Sequence, residues 1–193
     1  MTASVGIEEG NGPIGSIVWT PVATVRYCTA DVWNPSNSYP NVVPATNFNY
    51  SYVKWTRLAF SGTFSQVSNF RWYCSGRIAS EWSLGTGGML MLFRKDSVDN
   101  GCPANQYSQA GGIQGQTGYY GKDPTNGLTY YKDETADPYN ADLATSANPF
   151  PFDSSVYSTA GATKALASQL KIASNALQGE KGGQVGTVIY DEI

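Results

Sequence analysis

Residues 53–76 read VKWTRLAFSGTFSQVSNFRWYCSG, and the alternation inside them decides the fold class. Val53, Trp55, Arg57 and Ala59 fall on one side of an extended chain, and Lys54, Thr56, Leu58 and Phe60 fall on the other. A repeat of two is what a strand produces, because successive side chains leave the backbone on opposite faces. Ser61 and Gly62 interrupt the run, and the polar turn Ser65-Gln66-Val67-Ser68-Asn69 leads into a second β-rich segment, FRWYC at 70–74. Trp55, Leu58, Phe60 and Phe70 are the expected buried positions, with Trp72 and Tyr73 anchoring the second strand. The stretch holds no recognisable catalytic group, so it reads as a surface-forming scaffold.

Outward from this centre the chain keeps a β outline. Residues 16–30 carry β-branched and aromatic side chains around Pro21, which suits an edge strand or a bulge near its start. Pro35, Pro40 and Pro44 break regular structure through the polar loop 31–49. The run Met89-Leu90-Met91-Leu92-Phe93 is continuously apolar, as expected of a strand buried on both faces. From 96 to 159 periodicity is lost, more than a compact domain usually spends on loops. That excursion contains Tyr119, Tyr120, Tyr130 and Tyr131 among glycines, a composition offering rigid contact area with adaptable backbone hydrogen bonding. It could fold back on its own sandwich, meet another chain, or present a sugar platform. Near the C-terminal end, Ala162, Leu166, Leu170, Ala173 and Leu177 recur at helical spacing, while Leu166, Ser168, Leu170 and Ile172 alternate as a strand would. Residues 186–191 read as a strand after the turn at 178–183, so an extended 166–174 would close the chain with a hairpin. The expected organisation is one antiparallel β-sandwich over 1–193, jelly-roll or immunoglobulin-like, with an N-terminal arm at 1–15 and the excursion at 96–159.

Composition narrows the function. At 193 residues the chain suits one domain with a sizeable core. Charged residues are only 14% of it, about half the usual share, so its surface is uncharged-polar and aromatic. A formal charge of −3 and scattered Lys and Arg argue against a nucleic-acid partner, which would need clustered cations. No segment reaches the roughly 20 apolar residues of a membrane span, and Glu8 and Glu9 stand where an export signal needs positive charge. With no histidine, Ser-His-Asp and Cys-His catalysis and His-ligated zinc are excluded. Cys28, Cys74 and Cys102 form no CxxC and read as buried thiols, with a disulfide within or between chains as the alternative.

Other constellations fall short of a site. Asp133, Glu134, Asp137, Asn140 and Asp142 could offer oxygens to calcium but lack the EF-hand spacing and glycine, and read as a solvated acidic loop. Gly85-Thr86-Gly87-Gly88 lacks the Lys-Ser/Thr of a phosphate loop and reads as a flexible connection. The sequon Asn49-Tyr50-Ser51 reads as coincidental without export, and no carboxylate pair signals a glycosidase. No catalytic residue, cofactor or metal is expected.

Three segments together carry a resemblance: GIEEGNGP at 6–13, LAFSGTFSQVSNFRWY at 58–73, and SQLKIASNALQGEKGGQVGTVIYDEI at 168–193. The pattern, which spans nearly the whole chain, resembles β-sandwich virion structural proteins of tailed bacteriophages. The resemblance implies a strand, short turn and strand ending in Trp72-Tyr73, then a penultimate strand at 166–174, a glycine-containing turn and a last strand closing on Tyr190-Asp191-Glu192. It implies a non-enzymatic protein made in the host cytoplasm and located in the virion, decorating a capsid or contributing to a tail. Its expected partners are further copies of itself, in a trimer or higher ring, and other virion proteins such as a major capsid protein. The alternative is a carbohydrate-binding sandwich, an adhesin or receptor-binding tail module, with Trp33, Trp82, Tyr119, Tyr120, Tyr130 and Tyr131 stacking on sugars. The same six residues form the candidate surface for protein contact.

Overall fold

The computed structural model describes residues 2–12, 16–33, 35, 38–93, 101–102 and 138–193. The chain is an all-β protein of two antiparallel sheets packed face to face. In chain order the larger sheet contains β1 (Ser4–Asn11), β2 (Val18–Pro21), β3 (Phe48–Tyr50), β4 (Lys54–Ser61), β6 (Met89–Leu92), β7 (Tyr139–Asn140), β9 (Gly161–Ala162) and β10 (Leu166–Ala173). The smaller sheet has the order β11-β5-β8, from β5 (Val67–Tyr73), β8 (Phe150–Asp153) and β11 (Thr187–Glu192). One short helix, α1 (Ile78–Glu81), follows β5.

The two halves of the 53–76 stretch therefore serve different sheets, and residues 62–66 cross between them, with Gly62 at φ 93°. Trp55, Leu58, Phe60 and Phe70 are all buried, as expected. Alternation sends them to two cores. Leu58 and Phe60 face the smaller sheet and join Phe70, Leu90, Leu92, Phe150, Phe152 and Leu166 in the main core. Phe60 stacks on Phe70 at 6.0 Å between ring centroids, and Tyr157 packs against Phe60 at 5.0 Å. Val53 and Trp55 point out the other side of the same sheet into a second cluster with Met91, Phe93, Cys102 and Ala167. The run 89–93 is thus buried on both faces, with Leu90 and Leu92 in one cluster and Met91 and Phe93 in the other. Each such fully buried side chain contributes about 1.5–3 kcal/mol by leaving water.

Several expectations need correction. Ser4–Asn11, expected within an N-terminal arm, is a sheet strand: it pairs with β4 from Ser4↔Ser61 to Gly10↔Trp55 and with β2 on its other side. The expected excursion does not run unbroken to 159, because β7, a 3-10 turn at Ala141–Leu143 and β8 lie in its last part. Residues 166–173 are a strand, which settles the helix-or-strand ambiguity, but no terminal hairpin forms: β10 lies in the larger sheet and β11 in the smaller. β2 does sit at a sheet edge, where Pro21, lacking an N–H, costs no ladder bond. The three thiols are buried, and no disulfide joins them.

Candidate interaction surface

A cleft of about 1370 Å³ opens between the sheets at the end where β5 finishes and β11 begins. Its floor is the inner face of β10, where Leu166, Ser168, Leu170 and Ile172 alternate inward, and Trp72 and Val188 of the smaller sheet face them. Two irregular segments, 22–28 and 176–186, frame it. The second is held by Trp82, whose Nε1–H donates to the Gly182 carbonyl at 2.8 Å. Trp82 itself packs edge-on against Tyr27 at 6.1 Å, and the Tyr27 hydroxyl meets Ser168 Oγ at 2.8 Å. Gly186 passes so close to Trp72 that a Cβ there would stand 2.6 Å from the indole nitrogen. Tyr39, Val42, Leu177 and Val185 line the same cleft and are exposed.

At one flank lies a buried ion pair. Lys54 and Glu9 are completely shielded from solvent, with Nζ 2.7 Å from Oε1. The ammonium also donates to the Val32 carbonyl at 2.6 Å, and Asn11 Nδ2 donates to Glu9 Oε1 at 3.2 Å and to Asp31 Oδ1 at 2.9 Å. Burial pushes the Glu9 carboxyl above its ordinary value, while Lys54 pulls the other way. The network fastens the 31–33 loop to β1 and β4, and so fixes the base of Trp33, which is 48% exposed.

Of the six residues expected to form the interaction surface, Trp33 is exposed on that loop and Trp82 is half-buried under the 176–186 segment. Tyr119, Tyr120, Tyr130 and Tyr131 lie outside the described residues. Residues that sequence reading did not single out, Tyr39, Val42, Leu177 and Val185, are the ones the fold gathers around the cleft. Their signal was slight: single apolar residues in polar, glycine- and proline-rich loops.

The described acids are engaged in holding the fold. Glu8 pairs with Arg57, Glu81 with Arg77, and Asp191 with Arg71. Asp31 accepts from the Gly12 N–H, Asp142 from those of Ile78 and Ala79, Asp153 from those of Ser155 and Lys164, and Glu192 from that of Ala3. Glu180, exposed on the 176–186 segment, is the exception among them. Burial raises the Cys74 thiol, which keeps it in the unreactive protonated form. Among the described residues no cluster of His, Cys, Asp or Glu is arranged to hold a metal ion. No helix is long and apolar enough to cross a membrane among them. No protein-family model, no curated protein and no solved structure matches the chain.

Proposed function

We propose that this chain is a non-enzymatic structural protein of a tailed-phage virion, a β-sandwich that oligomerises and docks on other virion proteins, most simply as a capsid decoration. The observation that carries the reading is the group of exposed apolar residues at the cleft mouth, Tyr39, Val42, Leu177 and Val185, on a protein whose described carboxylates, Glu180 apart, are spent on holding the fold. Apolar side chains grouped at an opening between sheets suit burial against a partner. Among the described residues the smaller sheet also has an edge strand with no partner on its outer side, suited to backbone pairing with another chain.

Co-sedimentation tests this directly. Purified chain mixed with phage particles stripped of it should pellet with them saturably, and Val42→Asp with Leu177→Asp should abolish pelleting while the variant stays folded. Failure to bind particles, together with saturable binding on a glycan array lost in Trp33→Ala, would replace the proposal with the carbohydrate-binding alternative.

A further inference from the structure

β11 carries a pattern that is complementary to itself. It ends the smaller sheet, and among the described residues no strand lies against its second edge. An antiparallel strand turns half of its N–H and C=O groups to each side, so that edge offers a row of donors and acceptors. Opposite it, the larger sheet reaches further than the smaller one covers. Val5 and Ile7 of β1 share a face with the buried Phe60 and Leu58, their register partners, yet they are 36% and 38% exposed. β11 is close to β1 at one end, where the Ala3 N–H donates to Glu192 Oε1 at 2.9 Å, and Ile7 and Val188 line the same cleft.

We propose that two copies of the chain join through β11, antiparallel and centred on Ile189, to make one continuous sheet across a two-fold axis. This deepens the reading of the chain as an assembly protein, and rests on it, by naming the surface and the partner. The sequence of the strand fits such a pairing. Centred on Ile189, Val188 falls opposite the partner copy's Tyr190 position, and both are inward residues packed on the core. The added strand therefore continues the inner apolar face over Val5 and Ile7. The same register sets Val185 against the position of Ile193, and these are the two most exposed large apolar residues described, at 75% and 76%. Charge agrees: Asp191 and Glu192 fall opposite Thr187 and Gly186, so the acidic ends of the two strands lie apart, whereas parallel pairing would place them side by side. A closed two-fold interface uses the same patch on both copies, as this one does.

Disulfide trapping in the full-length chain tests the register. Cys28, Cys74 and Cys102 are buried, so the wild-type protein supplies a low background. Under mild oxidation Ile189→Cys should give a covalent dimer in high yield. Val185→Cys alone should give little, and a mixture of Val185→Cys with Ile193→Cys should give the crossed dimer. Sedimentation equilibrium should find a dimer for the wild type and a monomer for Ile189→Lys, which sets two ammonium groups across the axis; circular dichroism should show the variant folded, and its melting temperature, unlike the wild type's, should not rise with protein concentration. A wild-type chain that stays monomeric at every concentration, or a dimer in which Ile189→Cys fails to cross-link, overturns the inference. If that chain still pellets with particles, the structural-protein reading survives the loss; if it does not, both fall.

Discussion

Glu9 and Lys54 show what one buried pair asks of this fold. Neither charge touches water: Lys54 also holds the Val32 carbonyl and Asn11 also reaches Glu9 Oε1, while Glu9 Oε2 is buried with no hydrogen-bond partner among the described residues. Removing one partner strands the other, which typically costs 3–5 kcal/mol, whereas replacing both with apolar residues is often close to neutral. Glu9→Gln should therefore lower stability in urea denaturation by about 3–5 kcal/mol, and Glu9→Leu with Lys54→Met by much less. In Lys54→Met, Glu9 keeps the burial that raises its pKa and loses the charge that opposed it. A carboxyl raised in the folded state stabilises fully below its unfolded value of 4.5 and ceases to do so as pH rises through the folded value. That variant should melt at a higher temperature in acid than at neutral pH. Tyrosines give the alkaline counterpart. Burial pushes Tyr27 and Tyr157 up, Tyr157 also by donating to Asp153, and pushes Tyr52 up to about 12 from 10.0. The Tyr52 contribution is complete below pH 10.0 and is lost as pH climbs toward 12, while Tyr27 and Tyr157, raised further, keep theirs to higher pH, so the melting temperature should begin to fall across that window as late tyrosinate absorbance grows.

At the scale of elements, α1 depends on a residue far along the chain. It has no side-chain cap of its own, and the Asp142 carboxylate accepts from the Ile78 N–H at 2.7 Å and the Ala79 N–H at 3.0 Å. Asp142→Ala should cost about 1–2 kcal/mol in denaturant unfolding, the range of a lost N-cap, and Asp142→Asn should keep part of it. Such long-range partnerships explain what the sequence did and did not disclose. β4, β5 and β6 were legible because alternation and apolar runs are local signals, and Trp55, Leu58, Phe60 and Phe70 are buried where that pattern put them. β1 reads as an arm in the sequence because Gly6, Glu8, Glu9 and Gly10 hide its alternation; Glu9 looks like a surface residue until Lys54 is seen beside it. The two last strands read as a hairpin because a glycine-rich turn joins them, and nothing in a turn tells which sheet the next strand will enter. The outer edge of β11, unpaired among the described residues, and the exposed Val5 and Ile7 belong to the same class, since an edge is recognised only from the pairings on both sides of a strand.

For the whole molecule, two sheets of unequal width give a sandwich that is closed through its aromatic centre and open along one flank. Phe60, Phe70, Tyr157 and Tyr190 lock the centre, with Tyr190 stacked on Phe70 at 5.8 Å. Phe70→Ala should destabilise by about 3–5 kcal/mol, because it removes the ring that the other three share. Among the described residues, Val5, Ile7, Tyr39, Val42, Leu177 and Val185 stay exposed away from that centre, which supports the proposed docking role. The central claim is that the chain is built into a virion. Quantitative mass spectrometry of gradient-purified phage particles from an infected host that produces the chain tests this proposal most directly. The expected result is the chain in a fixed stoichiometric ratio to the major capsid protein, unchanged through successive gradients; its absence from particles while abundant in the infected-cell lysate would contradict the claim.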